Sequence, residues 1–287
     1  MALRFSNELE WSRKRLLRLL VTSSVYRQAA VASADAAAID PDNRLLSHAP
    51  RLRLTAEQLR DQALATSGLL DTDRIGGPSV MPHLPEGMLP QAFTTLVLPA
   101  SSGDDLYRRG LYTWWQRMFL HPSLLAFDAP SREECTVERP RSNTPQQALV
   151  LLNDPTYVEA ARVFAERIIR EGGTETRARL DWALRQTLTR RILDYEVTVL
   201  EAMLEKHLQT YQSDIDAATQ LISVGAHPAP QDISTAELAA WSTGWRAPSG
   251  YWGTWVRRLL ARTSASWIGT PTFNSMVIEP CPVRASE

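Results

Sequence analysis

The side chains most able to do chemistry are concentrated between residues 128 and 143. They are Asp128, Arg132, Glu133 and Glu134, followed by Arg139, Arg141 and Asn143. Carboxylates beside arginines can run acid–base chemistry when burial separates their pKa values, and paired arginines can clamp a carboxylate, sulfate or phosphate. Asp128, Arg132 and Glu133 are therefore the catalytic candidates, and Arg139, Arg141 and Asn143 the binding candidates. The competing reading is a partly buried ion-pair network that fixes a loop between helices. Just upstream, Tyr107, Tyr112, Trp114, Trp115 and Phe119 alternate with Arg108, Arg109 and Arg117. Such rings can stack on sugars or flat ligands, with Tyr112 and Trp115 as the binding candidates, but near-helical spacing also suits a core.

Other chemistries lack their patterns. The histidines His48, His83, His121, His207 and His227 are scattered, with no His-x-x-x-His or facial-triad spacing, so no metal is expected. Ser123 and Ser131 lie near His121 and Asp128, yet Gly-x-Ser-x-Gly is missing and no hydrolase triad follows. Gly76-Gly77-Pro78 lacks the Gly-Lys-Ser/Thr ending of a phosphate-binding loop. Cys135 and Cys281 form no Cys-x-x-Cys pair, which removes zinc-ribbon, thioredoxin-like and haem-attachment readings. This chain is expected to carry no cofactor of its own. With 31 basic against 32 acidic residues the net charge is -1, and no nucleic-acid partner is expected.

The elements that must position these residues read as mainly α: a multi-helix domain with a long irregular Pro/Gly-rich insertion and room for a short strand pair. A first helix is expected over Glu8 to Arg27, with Leu9, Leu16, Leu19 and Leu20 on a buried face and Arg13, Lys14, Arg15 and Arg18 on a solvated one. Thr55-Ala56-Glu57-Gln58 is a capping box, stapled by Leu54 and Leu59, for a helix running to Ser67 and stopping at Gly68. Residues Asp71 to Asp105 form the insertion, with a strand expected at Phe93 to Leu98. Thr144-Pro145-Gln146-Gln147 and Asp154-Pro155 start two further helices. Others are expected from Thr176 to Leu188, from Tyr195 to Ile222, and from the capping box Ser234-Thr235-Ala236-Glu237 onward. No apolar run approaches the 18 or so residues of a membrane span, and the start has no signal-peptide pattern, so a soluble chain is expected.

Many of these words occur in one order that resembles a known family. Tyr26-Arg27-Gln28, Asn43-Arg44-Leu45-Leu46, Pro50-Arg51-Leu52-Arg53-Leu54 and Ile75-Gly76-Gly77-Pro78-Ser79-Val80 come first. Tyr107-Arg108-Arg109-Gly110-Leu111-Tyr112-Thr113-Trp114-Trp115, Phe127-Asp128-Ala129-Pro130-Ser131-Arg132-Glu133 and Arg141-Ser142-Asn143-Thr144-Pro145-Gln146-Gln147 follow. Residues 3 to 242 thereby resemble the planctomycete-specific PSD-type domain of unknown function, starting inside its pattern. The resemblance implies the C-terminal module of large exported proteins that often also carry a planctomycete-type cytochrome c domain. Haem c is then expected only on that separate domain, which becomes the implied partner. No catalytic residues come with the resemblance.

The domain assignment is accordingly 1–242 for the PSD-type helical domain and 243–287 for a divergent tail. From Ser242 onward there are four tryptophans, no aspartate and only two glutamates, as expected of GC-rich DNA read out of frame. Poor packing from Trp245 onward is the corresponding expectation. The favoured function is an interaction or scaffolding module beside an electron-transfer domain. Its competitors are an enzyme on an extracellular polysaccharide or similar substrate, using Asp128, Arg132 and Glu133, and a nonfunctional gene fragment.

Overall fold

The computed structural model describes residues 1–30, 32–50, 53–84, 101–115 and 120–245. The chain is mainly helical, with eleven α-helices among these residues, and it divides into two compact units, Met1–Leu54 and Thr55–Glu287. The strand expected at Phe93 to Leu98 lies outside the described residues, as does the tail from residue 246.

The first unit holds α1 (Ala2–Asn7), α2 (Arg13–Val21) and α3 (Ala34–Ile39). The single helix expected over Glu8 to Arg27 is broken at its start, because Glu10 and Trp11 adopt positive φ of 50° and 58°. The Ser12 hydroxyl then accepts the Arg15 N–H and begins α2 afresh. None of these three helices buries a residue within the unit, so the leucine stripe of α2 is at most half-buried. The turn signal after α3 works through Asp40, whose carboxylate accepts the N–H groups of Arg44 and Leu45 at 2.9 and 2.7 Å.

The second unit begins with α4 (Ala56–Ser67), bounded as its sequence predicts. Thr55 and Gln58 close the capping box, and Gly68 ends the helix with φ +84°, a conformation costly for any residue with a Cβ. Short 3₁₀ turns at Gly103–Tyr107 and Gly110–Tyr112 and helix α5 (Pro122–Ala126) follow. Then come α6 (Pro145–Asn153), α7 (Pro155–Glu171), α8 (Thr176–Leu188), α9 (Asp194–Ser213), α10 (Ile215–Ile222) and α11 (Thr235–Trp245).

The helix expected from Tyr195 to Ile222 is two helices. Asp214, at φ -134°, leaves helical geometry and its side chain accepts the Ala217 N–H at 2.9 Å, which ends α9 and caps α10. Helix α7 is central: α4, α6, α8 and α11 all pack on it, and α11 also lies along α9. One core cluster joins Phe164, Ile168, Leu180, Leu184, Leu200, Leu238, Trp241 and Trp245. A second joins Ala56, Leu59, Leu124, Phe127, Leu151 and Tyr157. Full burial of such side chains is worth about 1.5–3 kcal/mol each before entropy is counted. Helix α11 runs three residues past Ser242, and Trp245 is only 3% exposed, with its ring set edge-on against Phe164.

Two isolated parallel bridges, Asp71 with Arg108 and Val80 with Thr113, are the extended pairings found among the described residues. They lay the start of the Pro/Gly-rich insertion along residues 107–114. The buried Arg108 guanidinium completes this by donating to the carbonyls of Pro78 and Gly76.

Candidate functional site

Asp128 follows α5 in a left-handed conformation, φ 59°, and its carboxylate faces the far end of the loop it opens. It accepts the Ser142 N–H at 2.7 Å, the Ser142 hydroxyl at 2.8 Å and the Gln147 side-chain amide at 3.4 Å. Gln147 is buried at the start of α6, where its carbonyl oxygen accepts the Thr144 N–H and its amide also donates to the Ser142 hydroxyl. The carboxylate therefore clamps residues 128 and 142 together, with its oxygens engaged by donors of that loop.

The other candidates disperse. Arg132 is exposed and lays its guanidinium 4.0 Å from the Trp115 ring centre. Glu133 is exposed, and its backbone N–H donates to the Ser131 hydroxyl at 3.4 Å. Arg139 reaches back to α4 and grips both oxygens of Glu57 at 3.0 and 2.9 Å. Burial alone would raise the Glu57 carboxyl, but hydrogen bonding and the Arg139 charge outweigh it and hold the group below its ordinary value. Arg141 and Asn143 lie exposed along the loop. Tyr112 uses its hydroxyl to accept the Gly76 N–H at 2.8 Å, and Arg108 covers its ring at 4.1 Å. The aromatic run is not one helix face: Tyr107 and Tyr112 sit in separate 3₁₀ turns, while Arg117 and Phe119 lie outside the described residues.

What the structure brings together instead is a cavity of about 320 Å³. His83, Leu106 and Tyr107 line one side, Pro155, Thr156 and Glu159 of α7 another, and Val224, Gly225 and Ala226 close it. Glu159 is 5% exposed, and its Oε1 accepts both the Tyr107 hydroxyl at 2.9 Å and the His227 N–H at 2.6 Å. Burial, then the hydrogen bond to Glu159, pushes the Tyr107 phenol above its ordinary range and keeps it a donor. Gly225 has φ +100° and no room for a Cβ, because Glu159 packs directly on it.

Behind the cavity the charges are buried as well. Arg60 donates to the Leu106 carbonyl at 2.5 Å, while its Nε and Nη1 have no hydrogen-bond partner among the described residues. Arg162 donates to the carbonyls of His227 at 2.6 Å and Pro228 at 3.3 Å. His121 shares hydrogen bonds with the Ser123 hydroxyl and the His83 carbonyl, and burial lowers its pKa, favouring the neutral ring. The one trace of this site in the sequence is an acidic residue, Glu159, beside apolar positions of α7. A second, more open groove of about 600 Å³ runs between α8, α9 and α11, where Arg179 pairs with Glu237 at 2.9 Å.

Residues 1–204 match the family described as PSD1, protein of unknown function (DUF1553). No curated protein and no solved structure matches the chain.

Proposed function

The chain belongs to the PSD1 family, and we propose that it serves as an interaction or scaffolding module of a large exported multidomain protein, working beside a cytochrome c-type domain. The observation that supports this reading is the loop after Asp128. Every residue from 131 to 138 is exposed, yet the loop is tied at both ends, by Asp128 to Ser142 and by Arg139 to Glu57. A fixed loop presents Arg132, Glu133, Glu134 and Val137 to solvent with little ordering entropy left to lose on binding.

An enzyme acting on a polysaccharide through Asp128, Arg132 and Glu133 has less support. Asp128 is engaged by loop donors, and neither Arg132 nor Glu133 lines the 320 Å³ cavity or the larger groove. Among the described residues no helix is long and apolar enough to cross a membrane.

Calorimetric titration of the chain with a cytochrome c-type domain from a PSD1-containing protein tests the proposal. Saturable binding is expected, weakened about 10-fold by Val137→Asp or by Glu133→Lys with Glu134→Lys, a loss of about 1.4 kcal/mol. Absence of heat at millimolar concentrations defeats the module reading. Polysaccharide turnover that disappears in Asp128→Asn and Glu133→Gln would put the enzyme reading in its place.

A further inference from the structure

We propose that the cavity bounded by Leu106, Tyr107, Pro155, Glu159 and Val224 is a binding site for a primary ammonium group carried on an apolar stem. This inference is independent of the exposed loop.

Glu159 supplies the charge. It is almost fully buried, a situation that carboxylates ordinarily reach only when paired. Yet no ion pair involves it among the described residues. Arg60 and Arg162 act on it through charge alone, their hydrogen bonds going to the carbonyls of Leu106 and of His227 and Pro228 instead. Both hydrogen bonds to the Glu159 carboxylate land on Oε1, which leaves Oε2 to meet a donor from the cavity.

The walls select what carries that donor. Leu106, Pro155, Val224 and Ala226 are apolar, Thr156 offers a hydroxyl, and neither Lys nor Arg is among the lining residues. An anion would meet the Glu159 carboxylate with no Lys or Arg in the cavity wall to bind it, and a metal ion lacks ligands, since no group of three or more His, Cys, Asp or Glu among the described residues is placed to hold one. An ammonium needs only one carboxylate and a neighbouring acceptor, and its hydrocarbon stem gains from leaving water. A volume of about 320 Å³ suits a small molecule or a single inserted side chain.

The test uses the full chain and three probes of equal length, pentylamine, 1-pentanol and pentanoate, with binding followed by protein NMR. Pentylamine is expected to bind at least ~10-fold more tightly than the other two, as a charge-assisted contact requires. Glu159→Gln should erase that preference while keeping an oxygen for Tyr107 and His227. Ala226→Phe, which fills the cavity and leaves Glu159 in place, should block the amine even if Glu159→Gln fails to fold. Equal binding of the alcohol, or unchanged amine binding in folded Ala226→Phe, overturns the site. Nα-acetyl-lysine amide distinguishes the source: tighter binding than pentylamine points to a lysine side chain of a protein, weaker binding to a free small amine, and binding of neither overturns the proposal.

Discussion

Asp128 and Glu159 are both carboxylates of the second unit, and their surroundings differ in a way their sequence neighbourhoods do not announce. Asp128 stands in a dense polar run and uses its oxygens on Ser142 of its own loop and on Gln147 at the start of α6. Glu159 stands among apolar residues of α7 and is met by Tyr107 and His227, 52 and 68 residues away in the chain. A carboxylate whose donors lie close by in sequence is satisfied locally, which makes it a good fastener. An isolated buried charge must be answered by distant segments, and where their answer is incomplete a binding site remains.

The contrast can be broken most strongly at Glu159. Glu159→Ala leaves the Tyr107 hydroxyl and the His227 N–H without their acceptor, and should cost roughly 3 kcal/mol in urea unfolding. Glu159→Gln, which keeps an acceptor, should cost less than half of that. Asp128→Ala should cost roughly 2 kcal/mol, because it removes the clamp and places a Cβ-bearing residue without polar compensation at positive φ. Asp128→Gly should recover the backbone part alone, so equal losses in the two variants would mean that the carboxylate does all the fastening.

Acid acts on the cavity side of the comparison through His121. Its folded pKa is lowered by burial, so the unfolded chain takes up the proton more readily. Stability from the neutral ring is full above the ordinary value of about 6.5 and falls as pH drops below it toward the lowered folded value. His121→Gln should flatten the unfolding curve between about pH 7 and pH 5, and an unchanged slope would remove His121 as its source. The smallest effect belongs to the exposed face of the loop. Arg132→Ala removes a cation–π contact with Trp115 and should cost only about 0.5–1 kcal/mol by thermal unfolding.

Much of the helical framework was legible residue by residue. Thr55 with Gln58, the Pro145 and Pro155 starts, and the Thr176–Leu188 span emerge with the expected starts, because caps and first-turn prolines act within four residues of themselves. The two long helices were over-extended where a single residue chose otherwise: Trp11 with Glu10 in left-handed geometry, and Asp214 as the cap of a new helix. Periodicity continues through such points, so hydrophobic spacing alone passes over them. Asp128 and Arg139 stand out in the sequence as candidates, but nothing in residues 128–143 shows that Arg139 reaches back to Glu57.

By itself, then, the sequence determined the helical character, most cap positions, the polar loop and the family to which the chain belongs, all of which rest on short-range patterns or on many words in one order. Only the tertiary structure decided that Asp128 would be a fastener and that Glu159 would line a cavity. The reason is that burial and pairing of a charge depend on what lies across from it, and for Glu159 the facing groups come from the 103–107 turn and the 224–227 segment, which meet only when α7 is packed.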